Sequence, residues 1–497
     1  MKVLISSWPR RLLFSLCMLL LCAALMLVWM LYMDHASLNS YDDEAITRKL
    51  IIFPALVGVA TLVLSSLFML QSAQAAALTA QTAPNSAQPA PEAAPPFMAQ
   101  VVGLQWMNPL QRRDYPTQWQ ILWTLGLVKP NKNDDMVKAE PDAFNSIRPV
   151  AGIAYGNKGQ ETFKGFHHKY IKKTLLAFRN RYFMQSNYFY TVAPDSRDDW
   201  REVSGLHVEY AIPAKKLDPV EAADYTRATF RKNFSIGEPF PKTVWSHDTL
   251  PDIRITQGGP NAGFTSLNAA LDYLQAHPQE SVWAMNWDAP SFPPEDEQMN
   301  ENMAILILAG PEMKTGRRPL AWIGKAATAR TQDQPTQAGT TRAVQAWKAA
   351  IETAAHNAGR SLSDIQYTIH DAGKGSTEAS NRLAPLSRTL TEVLPEFDFS
   401  RQTFNTAGLL GDMGAGSALT NVVLAIGRAN YFGGSVLVAG TTDADQPTAV
   451  LVVPPTELTS IDPDKNWFRA RGENNAYLPW WGLRHEDVGR YTQGFSE

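Results

Sequence analysis

Two uncharged apolar runs near the N-terminus set the first limit on what this 497-residue chain can fold into. Residues 12–33 and 50–70 contain no Asp, Glu, Lys or Arg. Each is long enough to cross the roughly 30 Å hydrocarbon core of a bilayer as a helix. Pro54 and Gly58 interrupt the second run, and membrane helices tolerate both residue types. Ser72-Ala73-Gln74-Ala75 also reads as a signal-peptide cleavage site. Both runs exceed the roughly 7–15 residues of a signal h-region, so the expectation is a membrane anchor in residues 1–73 with two transmembrane helices.

Charge around the runs gives an orientation. Lys2, Arg10 and Arg11 precede the first run, and Arg48 and Lys49 lie between the two beside Asp34, Asp42, Asp43 and Glu44. Acidic residues hardly count in the positive-inside rule. The bias therefore favours a cytoplasmic N-terminus and a cytoplasmic soluble part, with the periplasm as the alternative. Residues 74–96 form an Ala- and Pro-rich linker, with Pro84, Pro89, Pro91, Pro95 and Pro96. Such a segment buries no core and behaves as a semi-extended tether. The soluble domain is expected at 97–497.

The only cysteines, Cys17 and Cys22, lie inside the first run. The soluble part therefore has no disulfide framework, no Cys zinc site and no thiol nucleophile. A formal net charge of −3 gives no reason to expect a nucleic-acid partner.

Residues 101–128 open like a strand, break at Asn108-Pro109 and continue as an aromatic-rich helix from about Pro116, with Trp119 and Trp123 on one face. Gln105-Trp106-Met107-Asn108-Pro109-Leu110, Arg112-Arg113-Asp114-Tyr115-Pro116 and Trp119-Gln120-Ile121-Leu122-Trp123, together with the two upstream runs, resemble the adaptor family serving lipase effectors of bacterial type VI secretion. The resemblance implies a non-catalytic protein of the bacterial inner membrane. It would bind a lipase effector in the producing cell and recruit it to the secretion spike, with no cofactor and no catalytic residues.

Residues 165–185 are basic and aromatic: Lys169, Lys172, Lys173, Arg179 and Arg181 interleave with Phe166, Tyr170, Phe178 and Phe183. A solvated basic face over an apolar stripe is the plain account; an acidic partner or anionic headgroups is the functional one. From about residue 250 to 455 strands and helices alternate. Strands are expected at 253–256, 281–288, 302–308, from 321, and at 365–370. Helices are expected at 265–276, 343–357 and after the glycine-rich stretch 405–417, and a hairpin at 435–439 and 449–453. This is an α/β pattern with continuously apolar buried strands.

The order resembles the thiolase or ketoacyl-synthase fold, a layered α/β/α/β/α domain whose second half repeats the first and ends in a hairpin. That resemblance places the nucleophile's turn at Gly258-Gly259-Pro260 and two His motifs at 371–376 and 405–416. No Cys stands in the turn, Gly411-Asp412 stands where a Gly-His pair is expected, and His370 lies one residue early, facing the opposite side of a strand. The chemistry needs a thiolate and an oxyanion-stabilising base, so the domain is a degenerate thiolase-like one. The alternative function is an acyl-chain or acyl-carrier binding pseudoenzyme.

Other constellations are weak. No Gly-x-Ser-x-Gly elbow occurs, and Gly373-Lys374-Gly375-Ser376 lacks the upstream glycine of a phosphate loop. His167-His168 diverge by about 100° on a helix and have no supporting ligand motif. His247-Asp248 and His370-Asp371 read as local hydrogen-bonding pairs, and Glu295-Asp296-Glu297 as a solvated loop or a partner contact. No catalytic, cofactor or metal residue is assigned.

Overall fold

Apolar runs too regular for loops become strands buried on both faces. The computed structural model describes residues 96–107, 117–128, 162–182, 190, 201–239, 245–289 and 301–459. All belong to the second of two units into which the chain divides, Met1–Ala94 and Pro95–Glu497. The two apolar runs, the linker before Pro96 and the acidic Glu295, Asp296 and Glu297 lie outside the described residues. Among the described residues, no helix is long and apolar enough to cross a membrane.

The elements run β1 (Met98–Met107), α1 (Thr117–Thr124), α2 (Phe163–Tyr182), β2 (His207–Pro213), α3 (Pro219–Phe234), β3 (Asp252–Gly258), α4 (Ala262–Ala276), β4 (Ser281–Asp288), β5 (Asn302–Ala309), β6 (Ala321–Gly324), β7 (Ala327–Thr328), α5 (Arg342–Asn357), β8 (Ile365–His370), α6 (Thr377–Val393), β9 (Thr403–Asn405), α7 (Thr406–Leu410), α8 (Ser417–Phe432), β10 (Ser435–Gly440) and β11 (Thr448–Val453). One mixed sheet takes the order β3-β2-β4-β5-β1-β6-β11-β10-β8-β9, with β7 on β11.

The order is a repeat. Counted within each half with the two-residue β7 left out, both read third, second, fourth, fifth, first strand from the outer edge inward. β2 is parallel to β3 and β4, as β8 is to β9 and β10. β5 is antiparallel to β4 and β1, as β11 is to β10 and β6. The halves meet at the antiparallel pair β1–β6. The expected second half ending in a hairpin is therefore present as β6 to β11.

Period-2 alternation explains how the layers assemble. On β5, Met303, Ile305 and Ile307 enter one core with Phe166, Tyr170 and Phe178 of α2 and Phe230 and Phe234 of α3. Ala304, Leu306 and Leu308 enter another, with Leu267 and Leu271 of α4 and Val422, Val423 and Ile426 of α8. On β10, Val436 and Val438 join that same inner core, while Leu437 and Ala439 face Trp347 and Ile351 of α5 and Leu386 and Leu390 of α6. Helices α4 and α8 are thus shared by both halves, α2 and α3 cover the first, and α5 and α6 cover the second.

The helices start where side chains satisfy their first amides. Asp218 accepts from the Glu221 N–H, Thr341 from Val344 and Ser376 from Ala379. β2, α3, α6 and β9 are elements that the sequence pattern did not delimit.

Candidate functional site

The C-terminal ends of β3, β8, β9 and β10 and the N-termini of α4 and α8 converge on one region. Gly263, in the first turn of α4, lies so near α8 that a methyl group there would sit 3.0 Å from Ala418 Cβ. Two helix N-termini, each carrying partial positive charge, therefore meet beside the loops after β8 and β9.

Asp371 stands at the centre. Its Oδ2 accepts from Ser417 Oγ at 2.8 Å, at the start of α8. Its Oδ1 accepts from the Thr441 N–H at 2.7 Å and from Thr441 Oγ1 at 2.8 Å, just after β10. The carboxylate is buried, and its acceptors serve to clasp two strands to a helix. His370 turns the other way, with its ring 6.0 Å from Phe399 and Nδ1 accepting the Ala372 N–H. Burial depresses His370 to about 4, against the pull of Asp371. The two side chains point apart, as successive strand residues must, and form no dyad.

Asn405 makes a second clasp. Its Nδ2 donates to the Gly373 carbonyl at 2.6 Å, and its Oδ1 accepts from the Gly373 and Gly408 amides at 3.2 and 2.9 Å. In the turn after β3, Asn261 Nδ2 donates to the Gln446 carbonyl at 3.2 Å and to Thr448 Oγ1 at 3.4 Å. The turn that the ketoacyl-synthase resemblance assigns to a nucleophile thus carries an amide holding the β10–β11 hairpin.

The glycine-rich stretch is a third locking point. Asp288, at the end of β4, accepts from the Ala415 N–H at 2.9 Å and the Ala289 N–H at 2.8 Å, with Lys216 Nζ 3.4 Å away. Burial raises Asp288 to about 6 against Lys216 and the two amides, which pull it down. Asn286 donates to the Gly416 carbonyl at 2.8 Å, and Asn302 to the Met413 carbonyl at 3.4 Å. Gly414 has φ +49°, and a Cβ there would lie 2.0 Å from Asp288 Oδ2; at Gly416 it would lie 1.7 Å from Asn302 Oδ1. Close backbone approach therefore explains these glycines.

The remaining pairs separate. His167 is buried and shares a hydrogen bond of 3.1 Å with Tyr210, and burial depresses it to about 3. His168 stacks on Tyr225 with ring centroids 3.5 Å apart. His247 lies 3.9 Å from Glu202. Among the described residues, no group of three or more His, Cys, Asp or Glu is placed to hold a metal. Asp288, Asn286, Asn302 and Thr441 escaped sequence reasoning. Their signal is a polar residue at or near the end of an otherwise apolar strand.

Against this geometry, residues 320–454 match the family described as type VI lipase adapter protein Tla3, C-terminal. Over that segment the chain is similar to the type VI lipase adapter family. The segment runs from β6 through β11 and so holds Asp371, Asn405 and the glycine-rich stretch. No curated protein sequence matches the chain. Similar solved structures include the oxazolomycin ketosynthase domain from Streptomyces albus, 13% identical over 76% of this chain and 100% of that one, with a TM-score of 0.44. Another is the ketosynthase from module 6 of the bacillaene synthase of Bacillus subtilis, 9% identical over 71% and 70%, with a TM-score of 0.46.

Proposed function

We propose that this chain is a non-catalytic adaptor that binds a lipase effector in the producing cell and delivers it to the type VI secretion spike. The match of residues 320–454 to the lipase adapter family carries the reading. The site chemistry supports it from a second side. No thiol exists in the soluble part, and Asp371 and Asn405 spend their polar side-chain atoms, and Asn261 its amide nitrogen, on intraprotein clasps. The N-terminal runs tether the domain to the inner membrane, with the soluble part in the cytoplasm where effectors are made.

The test is reconstitution. The full chain, solubilised in mild detergent, is mixed with its host's type VI lipase and analysed by size exclusion with light scattering, then again with the spike protein added. A stable lipase complex that captures the spike protein is the expected result. Recovery of neither protein, or turnover of an acyl thioester by the chain alone, sinks the reading. A reporter fused after Glu497 that is active only in the periplasm would reverse the proposed side.

A further inference from the structure

The C-terminal end of α8 carries an exposed patch on which one charge meets no carboxylate among the described residues. Arg428 lies with its guanidinium carbon 4.8 Å from the Tyr367 ring centroid and 4.2 Å from that of Phe432. Such cation–π contacts orient a guanidinium but do not neutralise it. Among the described residues Arg428 meets no carboxylate, and Glu457, next to Leu458 in sequence, is paired with Arg318 at 2.6 Å. Burial lowers the proton affinity of Arg428, with Tyr367 opposing. A half-buried cation with unused fork donors is a site for a planar anion.

Apolar surface surrounds it. Phe432 is 53% exposed and Leu458 45% exposed, two of the four large hydrophobic residues exposed among those described. They lie together: Leu458 Cδ1 would be 3.4 Å from a methyl group at Gly433, the residue after Phe432. Tyr431 packs edge-on to Phe432 with centroids 4.9 Å apart. Arginine held between aromatic rings beside exposed apolar side chains has the make-up of a protein–protein hot spot. Arg428, Tyr431, Phe432 and Tyr367 all fall within the segment that matches the adapter family.

We infer that this patch is the docking surface for the lipase effector, and that it receives a carboxylate side chain of the lipase on Arg428 and an adjacent apolar side chain between Phe432 and Leu458. The inference rests on the adaptor reading above and gives it a place. Arg428, Tyr431 and Phe432 stand at the end of a helix whose other faces are core, so this part of the patch is held rigid before binding.

The experiment measures affinity of the detergent-solubilised full chain for the purified lipase by biolayer interferometry. Phe432→Ala and Arg428→Gln each weaken binding by roughly 30-fold, and Arg428→Lys by roughly tenfold because the planar fork is lost while the charge stays. Leu176→Ala, on α2 in the other half, changes affinity by less than about twofold. Arg428→Glu paired with an acid-to-Arg change on the lipase restores binding. Phe432 is more than half exposed, so its truncation leaves the core intact if Arg428 variants lose stability. Unchanged affinity in Phe432→Ala and Arg428→Gln overturns the surface while leaving the adaptor reading standing. Absence of lipase binding by the unaltered chain overturns both.

Discussion

Asp371→Ala tests whether the buried carboxylate at the meeting point of β8, β10 and α8 is a structural clasp. The carboxylate accepts three hydrogen bonds of 2.7 to 2.8 Å, two from Thr441 and one from Ser417. A bond to a charged group contributes about 1.5–3 kcal/mol. After truncation both hydroxyls can rotate toward other acceptors, but the Thr441 amide is fixed at the end of β10 and stays buried without a partner, at a cost of about 1–3 kcal/mol. The expected total is about 3–5 kcal/mol. Asp371→Asn keeps an oxygen for both Thr441 donors and offers an N–H to Ser417 Oγ, so it forfeits only the charge assistance, about 1–2 kcal/mol. Equilibrium urea unfolding of the detergent-solubilised chain gives the global value, and hydrogen exchange at the Thr441 amide gives the local one. The amide should stay protected in the Asn variant and become exchangeable in the Ala variant. A loss below about 1 kcal/mol in Asp371→Ala, or equal losses in both variants, would show that the carboxylate is not a structural clasp.

Three further outcomes follow from the same contacts. Gly416→Ala places a methyl group 1.7 Å from Asn302 Oδ1, and should cost about 2–4 kcal/mol in thermal or urea unfolding; a neutral result would mean the loop is not seated on β5. For pH, Asp288 is raised to about 6, so the folded chain holds a proton that the unfolded chain has lost, and this term weakens the fold as pH rises from about 4 to 6. His167 and His370 are depressed to about 3 and about 4, so their terms weaken the fold as pH falls through about 6.5 toward 4. Together the three give a net slope near one proton, with stability rising by about 1.4 kcal/mol per unit over pH 4–6. Asp288→Asn should steepen that slope to about two protons, and a flatter slope in that variant would contradict the assignment. Asn405→Ala should release residues 373–376 and 408, seen as faster exchange of the Gly373 and Gly408 amides, while leaving exchange in α4 unchanged.

Much of the architecture was legible because its strands obey a simple rule. The run Met303-Ala304-Ile305-Leu306-Ile307-Leu308 is apolar at every position, which only a strand covered on both faces requires. The same logic announced β4, β10 and β11, and the lack of any thiol after residue 22 excluded the thiolate chemistry of the fold that the sequence resembles. β2 was not delimited because His207 and Glu209 interrupt any continuous apolar run there. They are buried in the fold, where His207 Nε2 meets Glu209 at 2.7 Å and its ring lies against Tyr273 at 3.8 Å. α6 was hidden by Pro385 inside its span.

What the sequence determined by itself was local: period, apolar continuity, helix starts and missing reactive groups, all readable from neighbours within a turn or a strand. What only the tertiary structure decided was partnership. Asp371 and Thr441, Asp288 and Ala415, Asn261 and Gln446, and Arg428 and Tyr367 are joined across 61 to 185 residues of chain. A carboxylate or guanidinium looks the same in sequence whether it faces a substrate, a clasp or a partner. Its role is set by which donors and rings the fold brings within a few ångströms, and that depends on the packing of whole layers.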